Sequence, residues 1–69
     1  MLENNLRIIM AEKYVRVTEL AKQTGLSRNT ITSLKENKLK MIQLNSIDKL
    51  CQALDVTPAE FFKYRRDDE

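Results

Sequence analysis

Residues 17–34, VTELAKQTGLSRNTITSL, set a small side chain at Ala21, the chain's only glycine at Gly25, and aliphatic side chains at Ile31 and Leu34. Two short helices that cross closely around a three-residue turn need this spacing. Ala21 permits the close approach. Gly25 ends the first helix because it adopts a positive φ without Cβ strain. Ile31 and Leu34 pin the second helix against its neighbours, with Leu20 and Ala21 facing inward and Leu26 filling the space between. Thr18 and Ser27 are the expected N-caps, and Glu19 lies near the positive end of the first helix dipole. The expected helices are residues 17–24 and 28–36, with Asn37 as a left-handed terminator.

On the N-terminal side, Leu6, Ile9 and Met10 recur at helical spacing, which predicts an amphipathic helix over residues 5–13 with Asn4 as its cap. Val15 then turns inward. On the C-terminal side, Ile47, Leu50, Cys51 and Leu54 fall at i, i+3, i+4 and i+7, predicting a helix over 46–54 capped by Asn45. Thr57-Pro58-Ala59-Glu60 combines a capping threonine, proline at the first helical position and the glutamate of a capping box. Phe61 and Phe62 should seal the bottom of the core. The chain therefore reads as all-α: one domain over residues 1–69, five short helices, and a polar tail frayed from about residue 65. The β-branched cluster at 15–17 is too short to open a sheet.

Sixty-nine residues suffice for one domain, which buries only about 60% of its extended surface, so each core side chain matters. A single cysteine cannot form an internal disulfide and suits a reducing cytoplasm. There is neither a run long enough to cross a bilayer nor a signal-peptide pattern. With no histidine, no metal-ligating cluster and no glycine-rich loop, neither an enzyme nor a cofactor is expected. The net charge of +2 is unevenly spread. Residues 1–40 hold eight Lys/Arg against four Glu, whereas residues 41–69 hold four against six Asp/Glu, three of them in the tail Asp67, Asp68 and Glu69. A basic half with an acidic tail suits one face meeting phosphate.

A helix–turn–helix of this kind offers the outward face of its second helix to the DNA major groove. With Ile31 and Leu34 inside, that face carries Arg28, Asn29, Thr32 and Ser33. Arg28 can donate two hydrogen bonds to guanine, Asn29 can pair bidentately with adenine, and Thr32 and Ser33 can reach a base edge or a thymine methyl. Flanking phosphate contacts are expected from Arg16, Thr18, Lys35, Asn37, Lys38 and Lys40. Leu39, Met41, Ile42 and Leu44 crowd the linker at 38–44, too many apolar residues for a small monomer to bury. A second subunit or another protein is expected to use residues 39–44.

The strings ELAKQTGLSRNTITSL and SIDKLCQALDVTPAEFF resemble the Cro/repressor-type (XRE-like) helix–turn–helix domains, over residues 6–64. The resemblance implies a compact five-helix, Cro/repressor-like DNA-binding domain, usually a homodimer in bacterial or phage transcription control. Arg28, Asn29, Thr32 and Ser33 match the positions through which that family reads base edges. Three departures stand out. Val17 replaces a glutamine that commonly clamps a phosphate, a task left to Arg16. Tyr14 stands where many relatives have glycine. Met10 and Lys35 occupy the places of a buried Arg–Glu pair. The expected function is sequence-specific binding of double-stranded DNA by a cytoplasmic, nucleoid-associated repressor. The alternative is a protein-interaction module such as an antitoxin or adaptor.

Overall fold

Helix ends in this protein are set by local chemistry, and the core by the apolar stripes between them. The computed structural model describes residues 1–66. In chain order these form β1 (Leu2–Asn4), α1 (Leu6–Lys13), α2 (Val17–Thr24), α3 (Arg28–Lys35), α4 (Leu44–Leu54), α5 (Pro58–Phe61) and β2 (Phe62–Tyr64). The five expected helices are all present. The acidic tail Asp67, Asp68 and Glu69 lies outside the described residues, as does the last part of the segment expected to fray.

One core joins the helices. Leu6, Leu20, Ile31, Leu50 and Phe61 are fully buried, and Ile9, Met10, Leu34, Ile47, Cys51 and Leu54 nearly so. Each buried aliphatic or aromatic side chain contributes about 1.5–3 kcal/mol. Val15, Val17, Ala21, Leu26 and Phe62 pack half-buried around that centre. Thr24 is the buried polar residue of the core, and it is satisfied. Its hydroxyl donates to the Leu20 carbonyl at 2.7 Å and accepts from the Leu26 amide at 3.2 Å. That double contact carries the chain from α2 into the turn without an orphaned polar group.

Three local expectations are corrected. Thr18 does not cap α2, because the helix already begins at Val17 and Arg16 is the N-cap, with no side-chain capping bond. Asn4 is not the N-cap of α1: it belongs to β1, and Asn5 takes that position without a side-chain cap. The Asn4 side chain works in three directions instead. Its Oδ1 accepts from the Leu6 amide at 2.9 Å, while its Nδ2 donates to the Leu34 carbonyl at 2.8 Å and to Asn37 Oδ1 at 3.1 Å. Helix α4 starts at Leu44, with Gln43 rather than Asn45 at the N-cap position and no side-chain capping bond.

The absence of any sheet is corrected as well. β1 and β2 form a two-stranded antiparallel ribbon that pairs Leu2 with Tyr64, Glu3 with Lys63 and Asn4 with Phe62. The Arg65 amide extends it by donating to the Met1 carbonyl at 2.8 Å, and the Arg65 guanidinium faces Glu3 at 3.4 Å. Asn5 locks the ribbon to α5, its amide donating to the Phe61 carbonyl at 2.7 Å and its side chain to the Glu60 carbonyl at 3.1 Å. The bundle is thus closed by joining its two ends. None of its helices is long and apolar enough to cross a membrane, among the described residues.

Candidate nucleic-acid interface

Helix α3 is held at both ends and packed along one side. At its start, Ser27 Oγ accepts from the Thr30 amide at 3.1 Å and lies 2.8 Å from the Thr30 hydroxyl. At its end, the Asn37 amide donates to the Leu34 carbonyl and the Lys38 amide to the Ser33 carbonyl, with Asn37 at φ 59. This paired closure needs a left-handed residue, and asparagine tolerates one better than most non-glycine residues. Ile31 and Leu34 anchor the inner side. Rotation about the helix axis is then fixed, and it turns Arg28, Asn29 and Thr32 outward as exposed side chains with Ser33 half-buried beside them. Among the described residues, Arg28, Asn29 and Thr32 make no side-chain hydrogen bond or ion pair within the chain. Three exposed hydrogen-bonding side chains on a helix held at both ends, uncommitted to their own fold, are equipped to read an external pattern of donors and acceptors.

The expected phosphate ligands divide into two groups. Arg16 and Thr18 are exposed at the start of α2, and Lys35 is half-buried at the end of α3. Lys40 is exposed on the connection to α4. The other two are engaged with the chain itself. Lys38 pairs with Glu36 at 3.1 Å, an exposed contact of small energetic weight. Asn37 uses its Oδ1 to accept from the amide of Asn4 at 3.0 Å and from its side chain, tying the end of α3 to β1.

The connection to α4 keeps its apolar surplus on view. Met41 and Leu44 are 88% and 86% exposed, and Leu39 is partly so. Ile42 alone of the four turns toward the core. By contrast, Cys51 offers no reactive thiol: burial first, then the Asp48 and Glu60 carboxylates, push it up from its ordinary value.

One residue escaped the sequence reading. Arg7, on α1, lines the same cleft as Arg16 and Lys35, together with Met10, Ala11, Val15 and Val17. The substitution of Lys35 and Met10 for an Arg–Glu pair was the available signal, since it leaves that corner cationic.

With this geometry in hand, the chain can be set against known proteins. The model of the Cro/C1-type HTH DNA-binding domain matches residues 5–67. Over 65 residues the chain is 31% identical to the "Uncharacterized HTH-type transcriptional regulator YozG" of Bacillus subtilis (strain 168), which covers 94% of this chain and 77% of that one. A crystal structure of a "putative DNA-binding protein" from Bacteroides fragilis is similar at a TM-score of 0.82 and 32% identity, covering 91% of this chain and 100% of the other.

Proposed function

Because the chain belongs to the Cro/C1-type helix–turn–helix DNA-binding domain family, we propose that it is a sequence-specific regulator of transcription, acting as a repressor. In this reading α3 enters the major groove of double-stranded DNA, with Arg28 and Asn29 pairing to base edges and Thr32 and Ser33 supplementing them. Arg16, Thr18, Lys35, Asn37, Lys38 and Lys40 hold the backbone on either side, Lys38 and Asn37 by exchanging or sharing their present partners. The observation that carries the reading is the outward face of α3, whose polar side chains find no partner in their own chain among the described residues. The protein works as a cytoplasmic, nucleoid-bound homodimer, each copy supplying one α3 to half-sites about 34 Å apart.

Selection of binding sites from random duplexes, at two salt concentrations, tests this directly. A palindrome should emerge, and affinity should fall steeply with salt. Arg28→Ala should cost about 1–3 kcal/mol and relax preference at one base pair, whereas Lys40→Ala should weaken all sequences alike. Unchanged affinity and preference in Arg28→Ala would overturn the assignment.

The exposed apolar residues of the α3–α4 connection support a second reading, that of an interaction module such as an antitoxin or adaptor gripping a protein through residues 39–44. An equimolar complex abolished by Met41→Ser together with Leu44→Ser, with no duplex bound by the wild type, would favour it over DNA recognition.

A further inference from the structure

Three cations from three different elements meet in one open cleft. Arg7 comes from α1, Arg16 from the turn before α2 and Lys35 from the last residue of α3; Met10, Ala11, Val15 and Val17 form its floor. The cleft holds about 440 Å³, and among the described residues no carboxylate lines it. Glu3, Glu12 and Glu36 border the adjoining groove with Arg7 and Lys35. None of the three forms an ion pair with them: Glu3 pairs with Arg65 and Glu36 with Lys38, and Arg7, Arg16 and Lys35 have no ion-pair partner among the described residues. Lys35 is moreover half-buried. Three like charges gathered around an apolar floor repel one another unless an anion sits between them.

The position of the cleft says which anion. Arg28, Thr32 and Lys35 fall at i, i+4 and i+7 on α3, one stripe of one helix face. The cleft therefore continues the surface that would meet bases, and the open first turn of α2, uncapped by the Arg16 side chain, faces the same corner. We propose that Arg7, Arg16 and Lys35 together receive one phosphodiester group of the DNA backbone, so that α1 is part of the nucleic-acid interface. Arg7 is a positioning residue here: it sets the register of α3 in the groove and carries no base preference. The proposal rests on the DNA-binding reading above and adds to it a ligand for the cleft and a role for α1.

The test compares full-length wild type with Arg7→Gln, Arg7→Lys and Arg28→Ala on the selected duplex and on an unrelated one. Arg7→Gln should reduce the slope of log K against log salt by about 0.9, the contribution of one neutralised phosphate. Its affinity loss between 50 and 200 mM salt should then be about 3.5-fold smaller than that of the wild type. The change should be the same on both duplexes, Arg7→Lys should restore most of the slope, and the melting temperature should not fall. Replacing single phosphates by uncharged methylphosphonates should reveal one position that weakens the wild type and leaves Arg7→Gln unaffected. If Arg7→Gln keeps the wild-type slope while Arg28→Ala loses preference, the cleft proposal is overturned and the DNA reading stands. If wild type binds neither duplex, both fall. A melting temperature raised by inorganic phosphate at constant ionic strength in wild type but not in Arg7→Gln, with no change in slope, assigns the cleft to a free anion and also overturns the proposal.

Discussion

Helices α1 and α2 end in the same backbone conformation yet are built to different tolerances. The first passes through Tyr14 at φ 56 and the second through Gly25 at φ 77. After α1, the Tyr14 amide reaches the Ala11 carbonyl at 3.4 Å, and the helix that follows has an N-cap, Arg16, without a side-chain capping bond. After α2, the Gly25 amide donates to Ala21 at 2.9 Å, Thr24 braces the turn through its hydroxyl, and Ser27 caps the next helix. The second corner is fastened by side chains as well as backbone; the first is closed by backbone alone, the Val15 amide donating to the Met10 carbonyl at 3.0 Å, and holds Tyr14 left-handed and 90% exposed. The difference follows from what each corner positions. The second sets the angle of α3, where an error of a few degrees would misplace every side chain proposed to read bases. The first sets the edge of the cationic cleft, where the proposed phosphate would accept donors over a wide range of directions.

That contrast breaks most sharply in the core. Ile31 is fully buried beneath the second corner, and Ile31→Ala should cost about 3 kcal/mol, the middle of the range for such truncations. In a domain of this size the loss lowers the melting temperature by roughly 12–24 °C. Circular dichroism melts would show it, and a drop of only a few degrees would mean that α3 is not pinned as described. Gly25→Ala comes next. A Cβ there meets no atom within 4 Å, so the cost is torsional alone. Left-handed backbone costs a non-glycine residue about 1–2 kcal/mol, which is the destabilisation expected by urea titration. Ser27→Ala should remove about 1 kcal/mol by exposing the amide of Thr30. Its counterpart at the first corner, Thr18→Ala, removes no cap and should stay within about 0.5 kcal/mol of wild type. Equal losses from the two would erase the distinction between the corners.

What the sequence revealed divides along the range of the interactions. Gly25, Ser27 and the Thr57–Glu60 capping box act on backbone groups three or four residues away, so residue identity alone located them. Helical periodicity located Ile31, Leu34, Ile47, Leu50 and Leu54, and through the first two the outward face of α3. The ribbon was illegible because each strand has three residues, too few to alternate, and pairs Leu2 with Tyr64 across nearly the whole chain. Asn4 looked like a cap because caps are commonly asparagine, whereas its partners at Leu34 and Asn37 are tertiary. Arg7 was passed over for the same reason. On α1 it is one of two exposed cations, and only the packing of α1 against α3 sets it beside Lys35.

The smallest effect has the opposite sign from the others. Tyr14 holds a left-handed conformation in which an L-residue is strained by about 1–2 kcal/mol, and its ring, nearly fully exposed, recovers little of that by packing. Glycine would remove the strain while adding about 0.5–1 kcal/mol of backbone entropy to be lost on folding. Tyr14→Gly should therefore stabilise the protein by about 0.5 kcal/mol and raise the melting temperature by roughly 2–4 °C. The gain should leave base preference unchanged, because the first corner does not orient α3. A stabilised variant with altered preference would show instead that the two corners are mechanically coupled, and that the looseness of the first is transmitted to the helix that the second was fastened to hold.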